Sequence, residues 1–334
     1  MRGNAMRKLT NLPLMSSVIE TIGNTPLVEL RQLSKVLNLS GKLLAKLEFF
    51  NPGFSKKDRV ALEMIQTARK EGLLKPGQTV VELTSGNTGT GLAIVCRALG
   101  HPFIAVMSRG NTIERAQMMT ALGAEVVLVD QASDSHPQQV SGADLELVEL
   151  ETKRLVTTHE AFRANQFELI SNVLAHERYT GPELWEQSKG AIEVFVDFVG
   201  SAGSFTGVSR YLRKKSPDIR AYVAEPAGGA ALSKKVVSQI SHKIQGGGYG
   251  MSHLSLLEKN LVTGYLEVHD QEAIEATRLL ASEEGIFGGF STGANLAAAI
   301  HLLRTKEVGA TIGFLVCDSG LKYLSTTLFS TQES

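Results

Sequence analysis

The sequence predicts an α/β protein of two doubly wound domains with a cleft between them. Three observations carry this. Short apolar, β-branched runs alternate with segments of helical spacing along most of the chain, the signature of parallel sheets wrapped by helices. The alternation falls into two blocks, roughly 51–168 and 169–334, and 334 residues are enough for two domains. In both blocks a loop rich in glycine and hydroxyl groups follows a strand-like run, and ligands of such sheets sit beyond the carboxyl ends of strands.

Taken in order, residues 43–50 read as a strand that runs into the turn Asn51-Pro52-Gly53. Ser55 is a helix-cap candidate, and 60–68 continues at helical spacing. Residues 79–83 read as a buried strand, 91–96 as a helix, 103–107 and 125–129 as strands, and 114–122 as the helix between them. Residues 131–145 are polar and read as a surface loop, followed by a helix over 145–155. The pattern resumes with a strand at 194–199, a glycine-rich loop, a helix at 208–212 and a strand at 219–224. Residues 227–262 have little regular pattern and many glycines. Helices over 272–284 and 293–303 precede a final buried strand at 311–316.

Composition narrows the function. Hydrophobic residues make up 43% and charged residues 20%, and the formal net charge is zero, so no basic field draws nucleic acid or an anionic membrane. No apolar run approaches the roughly 18 residues that span a bilayer. Cys96 and Cys317 both lie in apolar runs and read as core residues, without disulfide or zinc spacing, which fits a reducing compartment. The segment Met1 to Ser17 carries Arg2, Arg7 and Lys8 but no long apolar stretch, and reads as a flexible or subunit-contacting arm.

Two stretches stand out. Asn51-Pro52-Gly53-Phe54-Ser55-Lys56-Lys57-Asp58-Arg59 offers a lysine in a polar turn. A neighbouring cation, Lys56 or Arg59, can depress its pKa and favour the nucleophilic amine, and spacing alone leaves open which of Lys56 and Lys57 reacts. Thr84-Ser85-Gly86-Asn87-Thr88-Gly89 sets hydroxyl, amide and glycine positions ahead of an apolar helix. A third loop, Gly200-Ser201-Ala202-Gly203-Ser204, opens a helix after a strand. Its amides, the helix N-terminus and the Ser201 and Ser204 hydroxyls suit the phosphate of a small cofactor. It lacks both the Walker lysine and the G-x-G-x-x-G order.

Other motifs are weaker. Gly289-Phe290-Ser291-Thr292-Gly293 has the spacing of a hydrolase nucleophile elbow, with Asp318 available as an acid, but no histidine follows Asp318 to act as base. Ser291 therefore reads as a structural or ligand-binding hydroxyl. His176-Glu177-Arg178-Tyr179-Thr180 starts like a zincin motif but has Thr180 where the second histidine belongs, so no metal is expected. The stretch from His242 to Gly248 reads as a mobile loop near a ligand.

In family order, these residues resemble the fold-type II pyridoxal-phosphate enzymes of the tryptophan synthase β-like fold. The nearest likeness is to the O-acetylserine sulfhydrylases (cysteine synthases) and the cystathionine β-synthase catalytic core. The resemblance runs from Ile22-Gly23-Asn24-Thr25-Pro26-Leu27 to Lys322-Tyr323-Leu324-Ser325-Thr326. It implies a smaller, mobile N-terminal domain from 1–21 and 51–168, and a larger one from 22–50 and 169–334. It also implies a pyridoxal 5'-phosphate cofactor on Lys57, with Lys56 in a usually apolar position. Asn87 is then at the cofactor's phenolic oxygen, Gly200 to Ser204 at its phosphate and Ser291 at the pyridine nitrogen. Thr84, Ser85, Gly86, Asn87, Thr88 and Gln166 become the grip on the substrate carboxylate, and Gly246, Gly247 and Gly248 the loop that closes on substrate.

The implied chemistry is β-replacement on an activated L-serine through an aminoacrylate, first of all O-acetylserine plus sulfide giving cysteine and acetate. Alternatives are O-phosphoserine as donor, cystathionine or 2,3-diaminopropionate as product, cysteine β-elimination, or a non-catalytic homologue that binds a partner tail. A cytoplasmic homodimer, with serine acetyltransferase as a partner, is implied in the same way. The chain departs from the family at Ser201, Ala202 and Ser204, where threonine, glycine and threonine are usual. Both serines keep a hydroxyl, and Ala202 can still donate its N–H if its φ is negative. It departs again at Cys317-Asp318-Ser319-Gly320-Leu321-Lys322 and in the long segment 131–164.

Overall fold

The computed structural model describes residues 14–133, 135, 140–233, 237 and 242–330. The expected N-terminal arm falls mostly outside them. In chain order the elements are β1 (Leu27–Glu29), α1 (Arg31–Val36), β2 (Lys42–Leu47), α2 (Lys57–Lys70), β3 (Val80–Leu83), α3 (Asn87–Leu99), β4 (Phe103–Ser108), α4 (Ile113–Ala121), β5 (Glu125–Val129) and α5 (Gly142–Thr158). Then follow β6 (Phe162–Arg163), α6 (Ser171–Ala175), α7 (Gly181–Gln187), β7 (Val194–Phe198), α8 (Gly203–Lys215), β8 (Arg220–Pro226), β9 (Gly264–Val268), α9 (Asp270–Glu284), α10 (Phe290–Arg304) and β10 (Thr311–Val316).

Two sheets organise the molecule. The first is wholly parallel, in the order β5-β4-β3-β6. The second runs β1-β2-β10-β7-β8-β9, parallel except for the antiparallel edge strand β1. Each sheet is buried on both faces, as a parallel sheet requires. On β7, Val194, Val196 and Phe198 point into one core and Phe195 into the other, joined there by Val199 just after the strand. Period two puts Asp197 on the Phe195 face.

Two sequence expectations are corrected, and one helical stretch had not been foreseen. The strand expected over 43–50 ends at Leu47, and Glu48–Phe50 form a 3₁₀ turn. That turn lets the Glu48 carboxylate meet Thr25 and Arg59. The helix expected at 145–155 starts at Gly142, inside the expected loop. A capping box drives this: the Ser141 hydroxyl accepts from the Asp144 N–H and the Asp144 carboxylate from the Ser141 N–H. Residues 171–187 hold α6, a π-helical turn with His176 and Thr180 buried, and α7, which short apolar spacing did not reveal.

Candidate active site

The site is built at the carboxyl ends of both sheets. The turn before α2 is tied tightly. The Asn51 side-chain amide donates to the carbonyls of Glu48 (2.8 Å) and Ser55 (3.2 Å). The Gly53 N–H donates to Asp58, and a Cβ at Gly53 would lie 2.5 Å from that carboxylate, so only glycine fits. The Lys57 N–H donates to the Ser55 hydroxyl at 3.2 Å, which makes Ser55 the polar group at the start of α2.

The two adjacent lysines have different surroundings. Lys56 Nζ donates to the Asp197 carboxylate (2.9 Å) and to Ser204 Oγ (2.9 Å), and that pairing holds its pKa above the ordinary lysine value against the effect of burial. Lys57 lines the cleft, and its pKa falls to about 8, first because of desolvation and then because of the Lys56 charge. Arg59, the other candidate cation, is bound instead to Glu48 and Glu183.

In the loop between β3 and α3, Thr84 Oγ1 accepts from the N–H groups of Gly86 and Gly89, both at 2.9 Å. Gly86 has φ +123, and a Cβ there would lie 2.4 Å from Arg115. Ser85, Asn87 and Thr88 line the cleft, whereas Thr84 and Gly86 lie behind them and shape the loop. Thr88 Oγ1 donates to Gln166 Oε1 (2.7 Å), so Gln166, 78 residues away, joins the same wall. Asn87 is held at both ends of its amide: it donates to Asp318 (2.7 Å) and accepts from Lys322 (2.7 Å). Lys322 is buried, and desolvation lowers its pKa to about 8.

Gly200, Ser201, Ala202 and Ser204 line the cleft from the second sheet, at the N-terminus of α8, with Gly203 behind them. A Cβ at Gly203 would lie 2.1 Å from Asn172 Oδ1, and one at Gly200 would lie 2.4 Å from the Gly246 carbonyl. The loop needs glycine at both. Asn172 Nδ2 donates to Ser201 Oγ at 2.8 Å, which leaves the Ser201 proton available. Ala202 has φ +64, so the negative φ that the sequence reading made a condition is not met; this left-handed geometry costs a non-glycine residue roughly 1–2 kcal/mol. The Ser204 hydroxyl donates to Asp197 rather than into the cleft, which corrects its reading as a spare donor.

Ser291 stands in the first turn of α10 and lines the same cleft. Asp318 accepts from Asn87 and from the Tyr323 hydroxyl, so it orients Asn87 and is not an acid beside Ser291. Cys317 is buried but lines the cleft, which corrects its reading as plain core; Cys96 is core. Gln245 and Gly246 close one side, while Gly247 packs against the backbone of Val199. His176 is buried and hydrogen-bonded to Thr180 (2.9 Å), the residue that broke the zincin pattern. Sequence reasoning missed Asp197, Asn172 and Lys322; only the Lys322 departure carried a signal.

The cleft is lined by residues at the carboxyl ends of both sheets. Its donor set suits pyridoxal phosphate: a lysine near pKa 8, a glycine-lined helix N-terminus and a buried neutral serine on one cavity.

Known proteins agree. The family model described as pyridoxal-phosphate dependent enzyme matches residues 18–318. Cysteine synthase 3 of Caenorhabditis elegans is 40% identical over 313 residues, which is 93% of this chain and 89% of that protein. The crystal structure of O-acetyl serine sulfhydrylase isoform 3 from Entamoeba histolytica aligns with a TM-score of 0.87 at 35% identity, covering 100% of this chain and 96% of that one. That of O-ureido-L-serine synthase aligns with a TM-score of 0.85 at 34% identity, covering 96% and 98%.

Proposed function

The chain belongs to the pyridoxal-phosphate dependent enzymes, and on that premise we propose that it performs β-replacement on an activated L-serine, converting O-acetylserine and sulfide to L-cysteine and acetate. The observation that carries this is Lys57, an amine near pKa 8 on the same cleft as the Gly200–Ser204 loop, Ser291 and the Ser85–Thr88 wall.

Bound pyridoxal phosphate supplies a carbonyl that a free amine captures and a ring that withdraws electrons from the substrate's α-carbon. Lys57 would hold the cofactor, and its free amine is placed on the cleft wall to take the substrate's α-proton. Its lowered pKa keeps a useful fraction unprotonated near pH 8. The amides at the start of α8 and the Ser201 hydroxyl bind the phosphate, helped by the positive end of the helix. Asn87, clamped by Lys322 and Asp318, keeps its amide in one orientation for the phenolic oxygen. Ser291, on the cleft wall, would give the ring nitrogen a neutral partner where a carboxylate would favour its protonation, and so would favour loss of the β-substituent over transamination. Ser85, Thr88 and Gln166 hold the substrate carboxylate so that the α-proton faces Lys57. Thr84 and Gly86 shape that grip, and Gly246 and Gly247 belong to the segment that closes on substrate.

The domain division we adopt pairs 1–21 with 51–168 and 22–50 with 169–334, the former moving against the latter. Strand membership supports it, because β1 and β2 pair with the second sheet; α6 nevertheless lends Ala175 to the first core. We further propose, from the family resemblance, a homodimer with serine acetyltransferase as a partner. Two free, buried cysteines fit a cytoplasmic setting, and among the described residues no helix is long and apolar enough to cross a membrane. A different donor is the second reading, favoured by the likeness to O-ureido-L-serine synthase.

The test is to add pyridoxal 5'-phosphate to the protein, then O-acetylserine or O-phosphoserine with sulfide, and to assay cysteine. A visible absorption band and cysteine from O-acetylserine are expected. Protein that stays colourless with added cofactor overturns the reading; cysteine from O-phosphoserine alone replaces the donor.

A further inference from the structure

The Lys56–Asp197 ion pair has no part in the mechanism above. Asp197 is fully buried at the carboxyl end of β7, on the face that packs against α8. A carboxylate in such a place is tolerated only when paired and hydrogen-bonded. Lys56 Nζ lies 2.9 and 3.2 Å from its two oxygens. Ser204 completes a ring: its hydroxyl donates to Asp197 and accepts from Lys56 at 2.9 Å. The Lys56 backbone is pinned by its N–H to the Cys317 carbonyl at 2.9 Å, so the ammonium has a fixed origin. The Cys317 thiol beside it is pushed up to about 11 by burial and stays neutral.

This ring sits in the wall of the anion loop, since Lys56 and Ser204 line the cleft together with Gly200 and Ser201. Two consequences follow. The Ser204 proton is committed to Asp197 and is not offered to a ligand. A negative carboxylate also stands one hydroxyl away from the place where an anion would bind, and alone it would repel that anion. Lys56 offsets the second effect by placing one positive charge at the same spot; its N–H groups point at the two Asp197 oxygens and at Ser204 Oγ, so it acts on an anion through its charge.

Building on the proposed function, we infer that Lys56, positioned by Asp197, is the cation that answers the cofactor's phosphate and makes this site selective for a phosphorylated ligand. Asp197 is a positioning residue, acting through Lys56 and Ser204. The competing role for the pair is a strut between α2 and β7, which has no preference for phosphate.

The experiment titrates cofactor-free protein with pyridoxal 5'-phosphate and, separately, with pyridoxal, which lacks the phosphate. It compares the unchanged chain with Lys56→Met, Asp197→Asn and the double variant, each checked for cooperative thermal unfolding. Lys56→Met leaves Asp197 unpaired, and its affinity for the phosphorylated ligand should fall roughly 100-fold, with pyridoxal changed by no more than about threefold. Asp197→Asn should keep phosphate-ligand affinity within about threefold, and the double variant should recover to within roughly tenfold of the unchanged chain. If Lys56→Met does not fold, the double variant against Asp197→Asn carries the test: a roughly tenfold loss confined to the phosphorylated ligand supports the inference. Equal losses for both ligands, or none, overturn it. An unchanged chain that binds neither ligand overturns the functional reading itself, and this inference with it.

Discussion

The Thr84–Gly89 and Gly200–Ser204 loops are built alike and finished differently. Each joins the end of a parallel strand to a helix, and each has glycines that a Cβ would jam. The first satisfies itself: Thr84 absorbs two of its own loop's N–H groups, which leaves the side chains of Ser85, Asn87 and Thr88 facing the cleft. The second is held from outside, by Asn172 on Ser201 and by Lys56 and Asp197 around Ser204. One loop therefore presents side-chain donors, fit for a small planar carboxylate. The other presents a helix N-terminus backed by the Lys56–Asp197 ion pair, which is proposed above to serve a phosphate. Identical topology does not assign the ligand; the partners that use up each loop's polar atoms do.

The largest expected effect tests what both loops serve. Lys57→Ala should lower turnover by at least about 1000-fold, measured as cysteine formed from O-acetylserine, because cofactor anchor and proton acceptor vanish together. Unchanged turnover would move the role to Lys56. Next come the loops' own supports. Gly203→Ala drives a Cβ to 2.1 Å from Asn172 Oδ1, and the overpacking should cost about 1–3 kcal/mol in denaturant unfolding and weaken cofactor binding. Thr84→Val removes the acceptor of two N–H groups, a loss of about 1–3 kcal/mol, and should raise KM for the amino acid while leaving cofactor affinity nearly unchanged. An equal effect of both substitutions on cofactor affinity would erase the distinction between the loops.

A smaller effect separates the wall from its brace. Thr88→Val removes the hydroxyl that donates to Gln166 and should raise KM about 3- to 10-fold, since one hydrogen bond contributes about 0.5–1.5 kcal/mol. The pH dependence follows from Lys57. Its pKa is lowered to about 8, so the free amine is scarce below that pH and abundant above it. Cofactor capture by cofactor-free protein should speed up through about pH 8 and then level off. A rate still climbing near pH 10 would mean an ordinary lysine.

The strands and helices on either side of both loops were legible because their apolar periods are long and regular. The lysine turn and both loops were legible because glycine, proline and hydroxyl residues cluster where the backbone must bend. What escaped lay in long-range pairings. Asp197 reads as a polar blemish in an apolar strand until Lys56, 141 residues away, is seen against it. Asn172 sits in a short helix with no periodic mark, and the sign of φ at Ala202 depends on the fold around it. Cys317 looked like core because its neighbours are apolar, yet β10 ends there and the cleft begins.

The central claim is that Lys57, and not the adjacent Lys56, carries the cofactor. Incubating the protein with pyridoxal 5'-phosphate, reducing with borohydride to fix the attachment, and mapping the modified peptide by mass spectrometry tests this directly. The expected result is the added mass on Lys57, with Lys56 unmodified. Modification of Lys56, or of neither lysine, would contradict it.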